Sequence, residues 1–190
     1  MTEDIDLNKA ATLDPYLGQD FLTWLWFKSE KSSGMFRSAS GEDFALYIEQ
    51  RIAVQGGDGD NVETAVCSGP QAEMREARLG LTTGKKVNQA RVRLEQDANE
   101  WQFQLKAEDF SFGSLKTPKV AMKAEEGDDP DGPFYEKMYL IEKALEFLDG
   151  LYLQFLRTRL GPEWREEMLA LRSWIMEQDE LSVDPTSPPT

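Results

Sequence analysis

Apolar positions recur first at helical spacing, then at every second residue, then at helical spacing again. Asp14-Pro15 reads as a helix start, an N-cap followed by proline at the first helical position. Behind it Leu17, Phe21, Trp24, Leu25 and Lys28 share one side, and Ser32-Ser33-Gly34 ends the element. From Phe44 the period is two. Phe44, Leu46, Ile48, Ile52 and Val54 face one way and Tyr47, Glu49, Arg51 and Gln55 the other, as in a half-buried strand. The run from Gly56 to Asn61 is a turn, after which Val62, Thr64 and Val66 resume the alternation as the second arm of a hairpin. Gln71 to Leu81 predicts a short helix closed by Gly84.

A second hairpin follows. Ala90, Val92 and Leu94 alternate with Arg91, Arg93 and Glu95. After the turn Asp97-Ala98-Asn99-Glu100, inward Trp101, Phe103, Leu105 and Ala107 alternate with outward Gln102, Gln104 and Lys106. Residues 110–123 are irregular but basic, and 124–133 form an acidic loop. Phe134, Met138, Ile141, Leu145, Leu148, Tyr152 and Phe155 then recur at steps of three and four, the longest helical pattern in the chain. Arg157 and Arg159 suit its C-terminus, and Gly161-Pro162 stops it. A last helix carries Glu163, Glu166 and Glu167 early and buries Met168, Leu171 and Ile175. The expected fold class is α+β: an antiparallel sheet of about four strands in two hairpins, an N-terminal helix, a short crossing helix and two C-terminal helices. Residues 1–13 read as a flexible tail, 14–180 as a single domain and 181–190, with three prolines, as a disordered tail.

Composition narrows the function classes. With 190 residues, 40% of them hydrophobic, the chain can fill a sizeable core. No apolar run approaches the ~20 residues of a bilayer crossing, and Met1-Thr2-Glu3-Asp4 lacks the features of a secretory signal. One cysteine, Cys67, fits a reducing compartment, so the expected location is cytoplasmic, without membrane contact. The absence of histidine removes Ser-His and Cys-His nucleophile pairs and imidazole zinc ligation. No catalytic residue, cofactor or metal is assigned, and an enzyme ranks behind two binding roles.

The net charge of −14 is unevenly spread. Residues 1–74 carry 5 positive and 13 negative side chains (−8), 75–123 carry 10 and 6 (+4), and 124–190 carry 6 and 16 (−10). The middle segment therefore differs in sign from both flanks. Its hairpin would present Arg91, Arg93, Gln102, Gln104 and Lys106 on one outer face, since cross-strand neighbours lie about 5 Å apart. With Lys85, Lys86, Lys116 and Lys119 these are the candidate phosphate contacts, the glutamines auxiliary; the plain alternative is a solvated sheet face.

Two glycine-rich stretches read as turns. Gly80 to Lys86 has three residues between its glycines instead of four, and Lys86 stands where a phosphate loop needs a hydroxyl. Asp58 to Glu63 lacks the later bidentate Glu of a calcium loop, and the Asp128/Asp131 loop is read the same way. Trp24 and Trp26, two apart, do not share one helix face, which makes Trp26 a candidate exposed interaction surface unless the helix is buried on several sides.

At the second hairpin the chain resembles the C-terminal half of the RdgC recombination-associated proteins. The residues are Glu76-Ala77-Arg78, Gly84-Lys85-Lys86-Val87, the strand through Leu94, Trp101-Gln102-Phe103-Gln104-Leu105 and Ser114-Leu115-Lys116. Upstream, Phe21-Leu22-Thr23-Trp24-Leu25-Trp26, Ser29 and Met35-Phe36 are similar to another stretch of that half. The resemblance spans about Leu17 to Lys119. It implies a protein that binds duplex DNA without strong sequence preference, as a ring-shaped dimer that restrains RecA-driven recombination, and hence a nucleoid-associated location. The family's N-terminal half has no counterpart here, and its lysine-rich stretch before the short helix is replaced by uncharged Thr64 to Ser68. Three readings follow: one half of a split protein that pairs with a separately encoded N-terminal half, a homodimer, or an acidic protein-interaction module that no longer binds nucleic acid.

Overall fold

The protein is seen in a computed structural model that describes residues 14, 16–38, 40–57, 62–68, 71–120 and 131–180, without the side chains of 50, 71–74 and 178–180. The expected tails, the turn at 58–61 and residues 124–130 of the acidic loop lie outside the described residues, while Gly132 and Pro133, expected in that loop, begin a helix. The fold is α+β, in the order α1 (Leu17–Lys31), β1 (Met35–Arg37), β2 (Asp43–Gly56), β3 (Glu63–Ser68), α2 (Gln71–Thr82), β4 (Lys86–Gln96), β5 (Asn99–Lys106), β6 (Phe112–Lys116), α3 (Gly132–Leu160) and α4 (Trp164–Glu180). The sheet has six strands instead of about four, ordered β1-β2-β4-β5-β6 with β3 also pairing β2, and every pairing is antiparallel. The two unforeseen strands, β1 and β6, are short edge strands: β1 alternates over only three residues, and β6 does not alternate clearly. Their neighbours, rather than their own apolar pattern, hold them extended.

The described helices pack on one face of this sheet and enclose one connected core. Residues 21–27 of α1 are all buried, Trp24 and Trp26 to within 1% exposure. Trp26 is therefore not an exposed interaction surface. The sheet lies on one side of α1, while Tyr152 and Phe155 of α3 and Trp174 of α4 close the other. Each such aromatic withdraws roughly 150–250 Å² from water, worth about 4–6 kcal/mol before conformational entropy is subtracted. Gly18 permits the close approach: a Cβ there would stand 1.9 Å from the Ala107 carbonyl oxygen. Asp14 does not cap α1 as expected. Tyr16 is the N-cap residue, and Asp14 instead accepts a hydrogen bond from the Tyr16 N–H at 3.1 Å.

A polar junction ties three helices together beside this core. Trp26 Nε1 donates to Glu30 Oε1 at 2.8 Å and Trp174 Nε1 to Glu30 Oε2 at 3.0 Å. Arg78 of α2 pairs with the same carboxylate, its guanidinium 5.4 and 5.2 Å from the two indole centroids.

Two apolar stripes differ from expectation. In β3 it is Cys67 that is buried and Ala65 partly so, while Val66 is 53% exposed, because the register pairs Cys67 with Ile52 and Ala65 with Val54. In α3 Tyr152 and Phe155 are buried as expected, but before them the buried stripe is Leu140, Ala144, Phe147 and Leu151, one step from Phe134, Met138 and Leu145, which stay exposed. The helix is apolar on more than one side, so spacing alone could not select the side that docks.

No helix among the described residues is long and apolar enough to cross a membrane.

Candidate nucleic-acid interface

No described helix covers the second face of the sheet, and the register shows what it carries. In β4 and β5 the pairs are Arg91 with Gln104, Arg93 with Gln102 and Gln89 with Lys106. Tyr47 of β2 extends the Arg93 row on one side and Lys116 of β6 extends it on the other. One row thus crosses four strands as Tyr47, Arg93, Gln102 and Lys116, about 14 Å at the usual strand spacing. The turn residue Asp97, at φ 53°, lets the hairpin close tightly and sets this register.

On this face, neighbours decide which charges are free. Arg93 is fully engaged. Its Nε and Nη2 donate to both Glu49 oxygens at 2.9 and 2.7 Å, it also pairs with Glu95, and its guanidinium lies 4.6 Å from the Tyr47 ring centroid. The hydrogen bond to Glu49 raises its pKa further above the ordinary guanidinium value. Gln102 donates to Glu100 at 3.0 Å. By contrast Arg91, Lys106 and Lys116 form no ion pair among the described residues, and Lys106 and Lys116 are exposed.

The flanking lysines do not join the patch. Lys85 pairs with Glu63 at 3.0 Å beside the β2–β3 hairpin and packs against Gly56. Lys86 is drawn to Asp20 of α1 and lies 5.1 Å from the Tyr16 ring centroid. Both are held by local carboxylates, as scattered lysines in an acidic chain tend to be. Lys119 is exposed in the segment after β6, and no hydrogen bond or ion pair among the described residues ties it to the sheet. Arg51 and Gln89 stand on the open face as well and were not singled out from the sequence; their outward position in the alternation was the available signal.

The face is thus a short cationic strip, Arg91, Lys106 and Lys116, set among amides, with an acidic border at Glu49, Glu95 and Glu100. Such a strip can neutralise a few phosphates. Gly84, at φ 87°, ends α2 in a turn, as expected of the Gly80–Lys86 stretch.

This chain matches no protein-family model and no curated protein. The resemblance to the RdgC proteins therefore rests on the quoted residues, and the structure places many of them, such as Trp24, Trp26, Trp101 and Phe103, in the core.

Proposed function

We propose that this chain binds the sugar–phosphate backbone of duplex DNA through the open face of its sheet, without strong sequence preference, in a recombination role like that of the RdgC proteins. The supporting observation is the register that gathers Arg91, Lys106 and Lys116, none of them ion-paired among the described residues, on three adjacent strands with Gln89 and Gln104 between them. Phosphate contacts of this kind position a protein without reading sequence. The net charge of −14 opposes approach at long range, but screening confines that repulsion to roughly 8 Å at physiological salt.

Three contacts imply weak binding with a salt slope of about −2.7, a loss of roughly 40-fold between about 50 and 200 mM salt. A second copy, or a separately encoded N-terminal half, would extend this footprint. The test is a mobility-shift titration of labelled duplexes of unrelated sequence. The wild type should shift all of them alike at low salt, and Arg91→Glu/Lys106→Glu/Lys116→Glu should shift none. Absence of any wild-type shift at low salt would refute the reading.

One observation favours a second reading, a protein-interaction module. Phe134, Tyr135 and Tyr139, at the start of α3, are 63, 62 and 58% exposed. Contacts built on such aromatics keep their affinity as salt rises, which separates the two readings in one titration.

A further inference from the structure

A pocket of about 110 Å³ lies where the β5–β6 end of the sheet meets α1 and α3. Phe21 of α1, Phe110 and Phe112 beside the β5–β6 turn, and Leu148 and Tyr152 of α3 stand in its walls. Phe110 sits at φ 53°, a conformation that bulky residues rarely adopt, and its ring meets Tyr152 edge to face at 4.9 Å. Phe21 meets the same ring at 5.1 Å. The wall is therefore largely aromatic.

Two polar groups of the lining lack partners. The Tyr152 hydroxyl is buried without one, and the Asp149 carboxylate, one helical turn before it, forms no hydrogen bond or ion pair among the described residues. Burial alone raises the Asp149 carboxyl above its ordinary value, with no neighbouring charge contributing. Lys106 also lines the pocket, but its charge acts on Asp109, a carboxyl held low by hydrogen bonds from Ser111 and then by Lys106. Leu145 and Asp149 are exposed and mark the mouth. An apolar space thus closes inward, and an unpaired anion stands at its entrance. An apolar cavity of roughly 150 Å³ takes up benzene, which sets the guest here at about six carbons.

We propose that this pocket binds a small primary amine, whose branched or cyclic apolar body fills the aromatic space while its ammonium pairs with Asp149. An ammonium beside these rings adds cation–π attraction to the ion pair, and the net charge of −14 concentrates cations around the chain. A guest of the same shape that carries a carboxylate meets Asp149 as a like charge. The proposal is independent of the DNA reading, since it uses the helical side of the sheet and an anion where that reading uses cations.

The probes are benzylamine, neutral benzyl alcohol and anionic benzoate, each titrated into the full chain at neutral pH and followed by backbone amide chemical shifts. Benzylamine should perturb the residues around Phe110 and Leu148 and saturate with a Kd on the order of 1 mM, the range open to a ligand of about eight non-hydrogen atoms. Benzyl alcohol should bind about tenfold more weakly, the scale of one charge contact, and benzoate should not bind. Asp149→Asn should bring benzylamine down to the affinity of the alcohol. Leu145→Trp should close the mouth to both. Both positions are exposed, so neither change disturbs the core. No saturable benzylamine binding up to about 10 mM, equal affinity for the alcohol or benzoate, or unaltered affinity in either variant would each overturn the proposal.

Discussion

The two faces of the β4–β5 hairpin are made from one continuous stretch of backbone, and they obey different rules. On the inner face Trp101, Phe103 and Leu94 are within 1% of full burial, and each contributes whatever its neighbours are, because leaving water outweighs any single contact it makes. On the outer face Arg91 and Arg93 are the same residue two positions apart, yet Glu49 and Glu95 engage one and nothing described engages the other. Inner residues act by type; outer residues act by company. A residue's chemistry can be read from sequence when burial dominates, and only from three-dimensional neighbours when pairing does.

The sharpest way to break the comparison is Trp101→Ala. It removes a fully buried indole and its hydrogen bond to the Leu140 carbonyl at 2.9 Å, and should cost about 3–5 kcal/mol in urea unfolding. The outer face should respond in binding instead. Arg91→Gln should lower the magnitude of the DNA salt slope by about 0.9, whereas Arg93→Gln should leave it unchanged and cost about 1 kcal/mol of stability. Equal effects of the two arginines on DNA affinity would dissolve the distinction.

Tyr152 tests the inner rule from its exception. Its hydroxyl is buried with no hydrogen-bond partner among the described residues, and burial pushes its pKa up to about 12 from 10.0. The folded protein holds this proton longer than the unfolded chain does. Stability should therefore be intact below about pH 10 and decline as pH rises toward 12. Tyr152→Phe should flatten that decline and stabilise the protein near neutrality by about 1 kcal/mol, measured by denaturant midpoints across pH.

The smallest expected effect lies at the rim. The Lys143 ammonium holds the Glu42 carboxyl below its ordinary value. This contribution is present above the usual carboxylate range and lost as pH falls through and below it, so Lys143→Gln should slightly flatten the acid limb of the stability profile.

Much of the fold was legible because its signals were long and redundant. The second hairpin was read correctly in strand and face, since Trp101, Phe103 and Leu105 leave only one parity that buries them. Its turn, however, is Asp97-Ala98 alone, because Asn99 and Glu100 pair with Gln96 and Glu95 within the ladder. The helix α1 was legible as an element but not as an environment. Seven consecutive buried residues carry no moment to show how many partners surround a helix, and Trp26 was misplaced for that reason. Edge strands β1 and β6 were missed because three to five residues are too few to establish a period. At the site, residue types on the outer face were readable, while the capture of Lys85 by Glu63, Lys86 by Asp20 and Arg93 by Glu49 joins residues 22 to 66 positions apart. No local pattern encodes such distances.

The junction at Glu30 gives the molecule a built-in optical probe. Trp26 and Trp174 meet edge to face with ring centroids 5.4 Å apart and hydrogen-bond one carboxylate, though they come from the first and last helices. Two indoles fixed that close couple their transitions, so the near-ultraviolet circular dichroism of the pair reports whether α4 is seated. Trp174→Phe, recorded against wild type, would isolate that signal and allow the docking of the final helix to be followed in real time without a label.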